Sequence, residues 1–254
     1  MIAFILGTKE GKEIVSLVNK YTEDIIISTA TAYGGELLKE LKYKDLNNKP
    51  LNLEEMEKWL LKNKVNILVD ASHPYASEVT KNAIMCAKKL DVLYVRYERL
   101  GALQNESGDD VIRVKDYEEV IYAIKNIDGN ILNTSGGNNV EKFINIDFKY
   151  RIIHRILPSP KVLNKIVECG VKIKDIIALQ GPITYELEKA FIKQYDIKAI
   201  ITKDSGIEGG ATEKFKAARE SNAKIIIIER PKIKYDIEFN DEEKLVKFLI
   251  EGCK

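Results

Sequence analysis

Cysteine is scarce in this chain, and no sign of charge dominates it. The three cysteines, Cys86, Cys169 and Cys253, are an odd number without paired spacing. That excludes a disulfide framework and a cysteine zinc cluster, so no metal site is expected and the thiols read as structural. Forty lysines and arginines stand against 39 acids, a net charge of +1, so no long-range field draws a polyanion and nucleic acid is not an expected partner. No apolar run reaches the ~18 residues of a membrane span. The amino terminus passes from a strand to Gly7 without a basic leader or a small-residue cleavage site, and a cytoplasmic location with no membrane partner is expected. Oligomeric state is left open.

Short apolar runs alternating with amphipathic ones are what the chain has in quantity. Residues 3–6, 25–28, 65–69, 92–95, 130–132, 151–156, 176–179, 198–201 and 224–228 read as strands, most of them rich in isoleucine and valine as doubly covered parallel strands are. Helical patterns separate nearly all of them. Repeated β-α alternation implies an α/β fold, and more than eight strands in 254 residues suit two sheets better than one. The Asp128-Gly129 turn places a boundary there, giving domains 1–127 and 128–254 of like design with a ligand cleft between them. The polar stretch 101–110 reads as a lid loop.

Five predicted strand ends share one chemistry: Gly7-Thr8-Lys9-Glu10-Gly11, Ser72-His73, Thr134-Ser135-Gly136-Gly137-Asn138, Gln180-Gly181-Pro182-Ile183-Thr184 and Lys203-Asp204-Ser205-Gly206. Each sets small, hydroxylated or glycine residues before a helix. Free amides at helix starts, with hydroxyl donors and glycines that admit close approach, suit phosphate or carboxylate oxygens. Any one such loop is better explained by helix capping and turn chemistry; five together favour an anionic ligand. The dinucleotide fingerprint is incomplete, with Gly7 and Gly11 only. Residues 28–33, at the second strand's end, carry no acid, which leans toward a phosphorylated ribose.

The densest group is Val69-Asp70-Ala71-Ser72-His73-Pro74-Tyr75-Ala76, a strand leading through a polar turn into a helix. Pro74 suits the first helical turn, which puts His73 at a helix amino terminus, neutral and able to donate to a carbonyl, imine or carboxylate, or else simply capping. Asp70 either orients it or caps the turn. His154, inside an apolar strand, reads as a core residue. Arg96, Arg99, Arg155, Lys203 and Arg230 lie at or beyond strand carboxyl ends, where they would grip a polycarboxylate or form ion pairs with acids such as Glu98 and Glu229.

These residues carry a resemblance. Asp70-Ala71-Ser72-His73-Pro74-Tyr75-Ala76, with Asn82-Ala83 and Cys86, resembles the signature of the precorrin-6A reductases of cobalamin biosynthesis, which usually read Asp-Ala-Thr-His-Pro-Phe-Ala there. Leu6-Gly7-Thr8-Lys9-Glu10 is similar to the family's glycine turn, and Gln180-Gly181-Pro182-Ile183-Thr184 to its Gly-Pro-Phe block. Thr202-Lys203-Asp204-Ser205-Gly206, with Lys214, Ala217-Ala218-Arg219 and Arg230-Pro231, is similar to its carboxy-terminal signature. The chain departs from the family at Leu6, at Leu100-Gly101-Ala102 and at Asp204.

The resemblance implies two Rossmann-like domains around a cleft. It also implies a reductase that passes hydride from NADPH or NADH to a tetrapyrrole, precorrin-6A or its cobalt complex, giving the dihydro product. On that basis His73, Lys203 and Ser205 are the catalytic candidates. Asp70, Ser72, Tyr75, Arg99 and Arg155 are the substrate-binding candidates, and Gly7, Thr8, Ser135, Gly136, Gly181 and Gly206 would hold the cofactor. The alternatives are a non-redox α/β module that binds a nucleotide or sugar phosphate, and a tetrapyrrole synthase or lyase.

Overall fold

A computed structural model describes residues 1–251 and divides them into two units, residues 1–100 with the segment from 231 onward, and residues 101–230. The first unit is built from β1 (Ile2–Leu6), α1 (Lys9–Val18), β2 (Ile25–Thr29), α2 (Ala32–Glu36), β3 (Asp45–Asn47), α3 (Leu53–Lys62), β4 (Ile67–Ala71), α4 (Ser77–Leu90) and β5 (Leu93–Tyr97). The second contains β6 (Val111–Val114), α5 (Tyr117–Ile124), β7 (Asn130–Asn133), a 3-10 segment (Gly137–Phe143), β8 (Ile152–Ile156), α6 (Pro160–Glu168), β9 (Ile176–Ala178), α7 (Tyr185–Gln194), β10 (Ile197–Lys203), α8 (Ala211–Glu220) and β11 (Lys224–Ile228). The chain then returns to the first unit as β12 (Glu238–Phe239) and α9 (Glu242–Glu251).

Each unit holds one six-stranded sheet with every pairing parallel, in the orders β12-β5-β4-β1-β2-β3 and β6-β11-β10-β7-β8-β9. The α/β class read from the sequence is therefore the observed one. The boundary expected at residue 128 is not. β6 and α5 precede that point yet belong to the second sheet, where β6 pairs with β11, and β12 pairs with β5 in the first. Strand pairing, a long-range property, divides the chain where the local turn signal at Asp128-Gly129 does not.

Alternation explains how the first sheet is covered. Ile2, Phe4 and Leu6 of β1 face a core with Ile14, Val15 and Val18 of α1 and Leu245 and Leu249 of α9. Ala3 and Ile5 face the other way, onto Met56, Trp59 and Leu60 of α3 and Ala83, Cys86 and Ala87 of α4. A period of two in the strand thus meets helices on both faces. Local signals start the helices: Thr8 accepts from the Gly11 amide, and Asn52 and Glu55 form a reciprocal capping box. In the second unit Leu132, Ile153, Ile200, Ile225 and Ile227 pack on Ile192 of α7 and Phe215 of α8. Cys86 donates to the Leu53 carbonyl at 3.4 Å from within the core, as a structural thiol does, while Cys253 lies outside the described residues.

Candidate active site

In the first sheet β1 and β4 are neighbours, with Leu6 level with Ala71, but the chain leaves β1 toward β2 and leaves β4 toward β5. Their following loops therefore part company at the carboxyl edge and open the crevice in which doubly wound sheets hold ligands. Gly7, Thr8, Ser72 and His73 come together there. The Gly7 amide donates to Ala71 O at 3.2 Å, and a Cβ added at Gly7 would stand 2.8 Å from the His73 backbone nitrogen. Only glycine lets the two turns touch.

Below the turn the structure corrects several expectations. Asp70 is fully buried and does not orient His73. It pairs with Arg96 Nη1 at 2.9 Å and accepts from Tyr94 Oη at 2.9 Å and from the Ser72 amide at 2.9 Å. As a substrate ligand it is ruled out by its burial. Arg96, also fully buried, is a strut rather than a grip for carboxylates: it reaches Glu98 at 2.9 Å and donates to Ser72 Oγ at 3.2 Å. Burial works against its charge, but the carboxylates of Asp70 and Glu98 outweigh it and hold the guanidinium pKa above its ordinary value. Burial, then the Asp70 charge, pushes the Tyr94 hydroxyl far up, so it stays a donor. Ser72, whose Oγ also meets Thr80 Oγ1 at 3.3 Å, is held inside this network and is buried.

Pro74 does not begin α4, which starts at Ser77 with no side-chain cap. Residues 73–76 instead close a tight turn, with Ala76 N donating to His73 O at 2.7 Å and Tyr75 N to His73 Nδ1 at 3.3 Å. The expected placement of His73 at the helix start is corrected accordingly: the imidazole sits one turn before it, partly exposed, its ring 5.7 Å from that of Tyr75. Arg99, just past β5, spans both Glu10 oxygens at 2.9 and 3.2 Å. Burial raises the Glu10 carboxyl, but Arg99 prevails and lowers it.

In the second sheet β7 and β10 play the same part, since the chain runs on from β7 to β8 and from β10 to β11 in opposite directions. This edge gathers Ser135, Gly136, Lys203, Ser205 and Gly206. Gly136 (φ 97°) and Gly206 (φ 74°) occupy the left-handed region that favours glycine. Ser135 is buried and its hydroxyl is engaged, accepting from Tyr117 Oη at 3.1 Å and donating to Asn133 Oδ1 at 2.7 Å. Asn133 Nδ2 lies 3.1 Å from His154 Nδ1. Burial pushes His154 down to about 4, so it is a neutral core histidine as its strand context suggested. Arg155 forms a two-pronged pair with Glu188 at 2.8 and 2.9 Å. Gly181 lies in the loop after β9, with nothing within 4 Å of an added Cβ.

The Lys203–Gly206 turn is pinned from several sides. The Asp204 carboxylate accepts from the amides of Ala102 at 2.9 Å, Leu103 at 3.2 Å and Gly206 at 3.3 Å, while Arg230 Nε donates to Asp204 O at 3.0 Å. Ser205 Oγ donates to Gly209 O at 3.3 Å. Lys203 is partly buried, and that burial lowers its ammonium pKa. The stretch 101–110 is a strap, not the lid its polarity suggested: besides Asp204, Arg113 holds the carbonyls of Leu103, Gln104 and Glu106, and Arg219 holds Asp110.

A family model described as "Precorrin-6x reductase CbiJ/CobK" matches residues 1–250. The chain belongs to that family. Among curated reductases it is 37% identical over 247 residues to the cobalt-precorrin-6A reductase of Methanocaldococcus jannaschii, covering 96% of this chain and 95% of that one. It is 34% identical over 260 residues to the cobalt-precorrin-6A reductase of Priestia megaterium, covering all of both chains. A solved structure titled CobK precorrin-6A reductase superposes with a TM-score of 0.79 at 18% identity, over 98% of this chain and 96% of that one, which shows a shared fold.

Within this precorrin-6x reductase, sequence reasoning missed the pairings of Glu10, Tyr94, Tyr117 and Glu188 and the burial of Lys214. A signal existed for Lys214, since it falls on the α8 stripe of Ala211, Phe215 and Ala218 that faces the core. Arg96 likewise sits inside a strand between the buried Val95 and Tyr97. Among the described residues no cluster of three or more metal-ligating side chains occurs, and no helix is long and apolar enough to cross a membrane.

Proposed function

We propose that this reductase converts precorrin-6A, with the cobalt complex as its preferred form, to the dihydro product, taking hydride from NADPH or NADH. What carries this reading is the agreement over nearly the whole chain with relatives named cobalt-precorrin-6A reductases. A place in cobalamin biosynthesis follows from membership of the family.

The residues fit a nicotinamide nucleotide. The first sheet has the doubly wound strand order that binds dinucleotides, and the turn after β1 packs so closely on its neighbour that a Cβ at Gly7 is excluded. Gly7 and Thr8 in the first unit are the proposed holders of its phosphates and ribose, and Ser135, Gly136, Gly181 and Gly206 are the corresponding candidates within the second unit. At Ser135 the backbone would do the holding, because the hydroxyl is already engaged. The end of β2 carries Ser28, Thr29 and Thr31 without an acid, which favours a phosphorylated ribose and hence NADPH. When bound, the nicotinamide supplies the hydride.

The chain's own residues orient the ring and bring the proton that reduction of a conjugated double bond also requires. His73, partly exposed at the β4 turn, donates to the ring or its carboxylates, helped by Tyr75. Lys203, whose burial loosens its proton, and Ser205 serve the same end from the β10 turn. Arg99 and Arg155 are the proposed partners of substrate carboxylates, alongside their pairings with Glu10 and Glu188.

The test is anaerobic oxidation of NADPH or NADH with added precorrin-6A, metal-free or cobalt-loaded. Oxidation stoichiometric with the tetrapyrrole is expected, and none with either nucleotide would end the proposal. His73→Ala and Lys203→Ala should each lower turnover about a hundredfold, the lower range for a lost acid-base group, with little change in melting temperature. Unchanged rates in both would remove these residues from the mechanism.

A further inference from the structure

Lys214 is a buried cation on the core face of α8, 6% exposed. A leucine would satisfy that helical position, and an ammonium taken out of water is costly unless something uses it. Its Nζ donates to Thr202 Oγ1 at 3.3 Å, near the end of β10. The Thr202 hydroxyl in turn donates to Lys203 O at 3.2 Å, the same oxygen that accepts the Ser205 amide at 2.8 Å. An unbroken run of hydrogen bonds therefore leads from the buried ammonium to the backbone of the turn that presents Lys203 and Ser205.

We infer that Lys214 is a positioning residue that acts through Thr202 to hold the Lys203-Asp204-Ser205 turn in its working geometry. The inference rests on the functional reading above, in which that turn faces the substrate. Three charged groups act on the ammonium: Arg155 from β8, Glu188 from α7 and Glu213 on its own helix. Both Glu188 oxygens are already held by Arg155, so neutralising that acid does not account for the lysine. Burial, and then the like charge of Arg155, lowers Lys214 to about 8. Near neutral pH it is still mainly an ammonium, and a charged donor grips a hydroxyl about twice as strongly as a neutral one. Asp204, anchored to the 101–110 strap, and Arg230, on the Asp204 carbonyl, fix the same turn from other sides, and the Thr202 hydroxyl and the Ser205 amide meet at the Lys203 carbonyl.

Lys214→Met keeps the volume and removes the donor, whereas Thr202→Val breaks the same run and leaves the lysine in place. Each should lower kcat about tenfold, the scale of one such hydrogen bond; Lys214→Met should leave the melting temperature nearly unchanged, whereas Thr202→Val, which strands the buried ammonium, should lower it. The double variant should be no slower than the worse single one, because both cut one path. Amide exchange in the whole enzyme should quicken at residues 203–206 in both single variants. That readout needs no turnover, so it reports on the turn even if the proposed reaction fails. Effects that multiply in the double variant, or exchange at 203–206 that stays at the wild-type rate, would overturn the inference.

Discussion

His154 is kept uncharged by its surroundings, and this has a measurable cost in acid. Unfolded, an imidazole takes a proton below its ordinary 6.5, but in the fold burial holds it neutral down to about 4. The unfolded state therefore binds more protons between those values, so stability is present above the unfolded pKa and is lost as pH falls through the window. His154→Gln removes the titration. Urea unfolding at about pH 7 and about pH 4.5 should show the wild type losing roughly 2 kcal/mol more than the variant. An equal loss in both would mean that the folded imidazole charges normally. Buried Arg96 shows the opposite solution at the same scale, where charge is kept and matched by Asp70 and Glu98.

Turns between strand and helix carry the proposed site residues, and in the first unit the closeness of two of them is set by a single glycine. That residue is Gly7, since a methyl group there meets backbone at His73 rather than a movable side chain. Gly7→Ala should push the β1 turn away from the β4 turn and weaken nicotinamide nucleotide binding about tenfold, one step of roughly 1.4 kcal/mol. Fluorescence titration with NADPH and NADH checks this, with a thermal melt alongside. Unchanged affinity for both would take the β1 turn out of the cofactor site. Elements also explain two corrected expectations. Pro74 looks like a helix opener, but the residues 73–76 turn consumes it; stretch 101–110 looks loose, but Asp204, Arg113 and Arg219 tie it down.

The chain leaves the first unit at residue 100 and comes back to it at residue 231, so that unit is closed by β12 and α9. Leu245 and Leu249 are fully buried in its core, Val246 nearly so, and α9 packs against α1. Ending the chain after Arg230 should cost the first unit at least ~5 kcal/mol, three buried aliphatic side chains at ~1.5–3 each. Hydrogen exchange on the truncated chain should show protection lost in β1, β4 and α1 but kept in β7 and β10. Retained protection in β1 would mean that this sheet stands without its last strand and helix.

What the sequence determined alone is local. Apolar runs separated by helical periods gave the strands of two parallel sheets, because a doubly covered strand must be apolar on both faces; glycine and hydroxyl residues marked the carboxyl-edge turns, because backbone conformation and capping demand them. β3 and β12 were missed, being short and partly polar, and so was β6, whose four residues directly follow the polar stretch 101–110. Tertiary structure alone decided the partners: Asp70 with Arg96, Arg99 with Glu10, Arg155 with Glu188, and the return of the carboxy-terminal segment to the first sheet. Ion pairs and strand order join residues far apart in the chain, and pairing across such distances leaves no periodic trace along it.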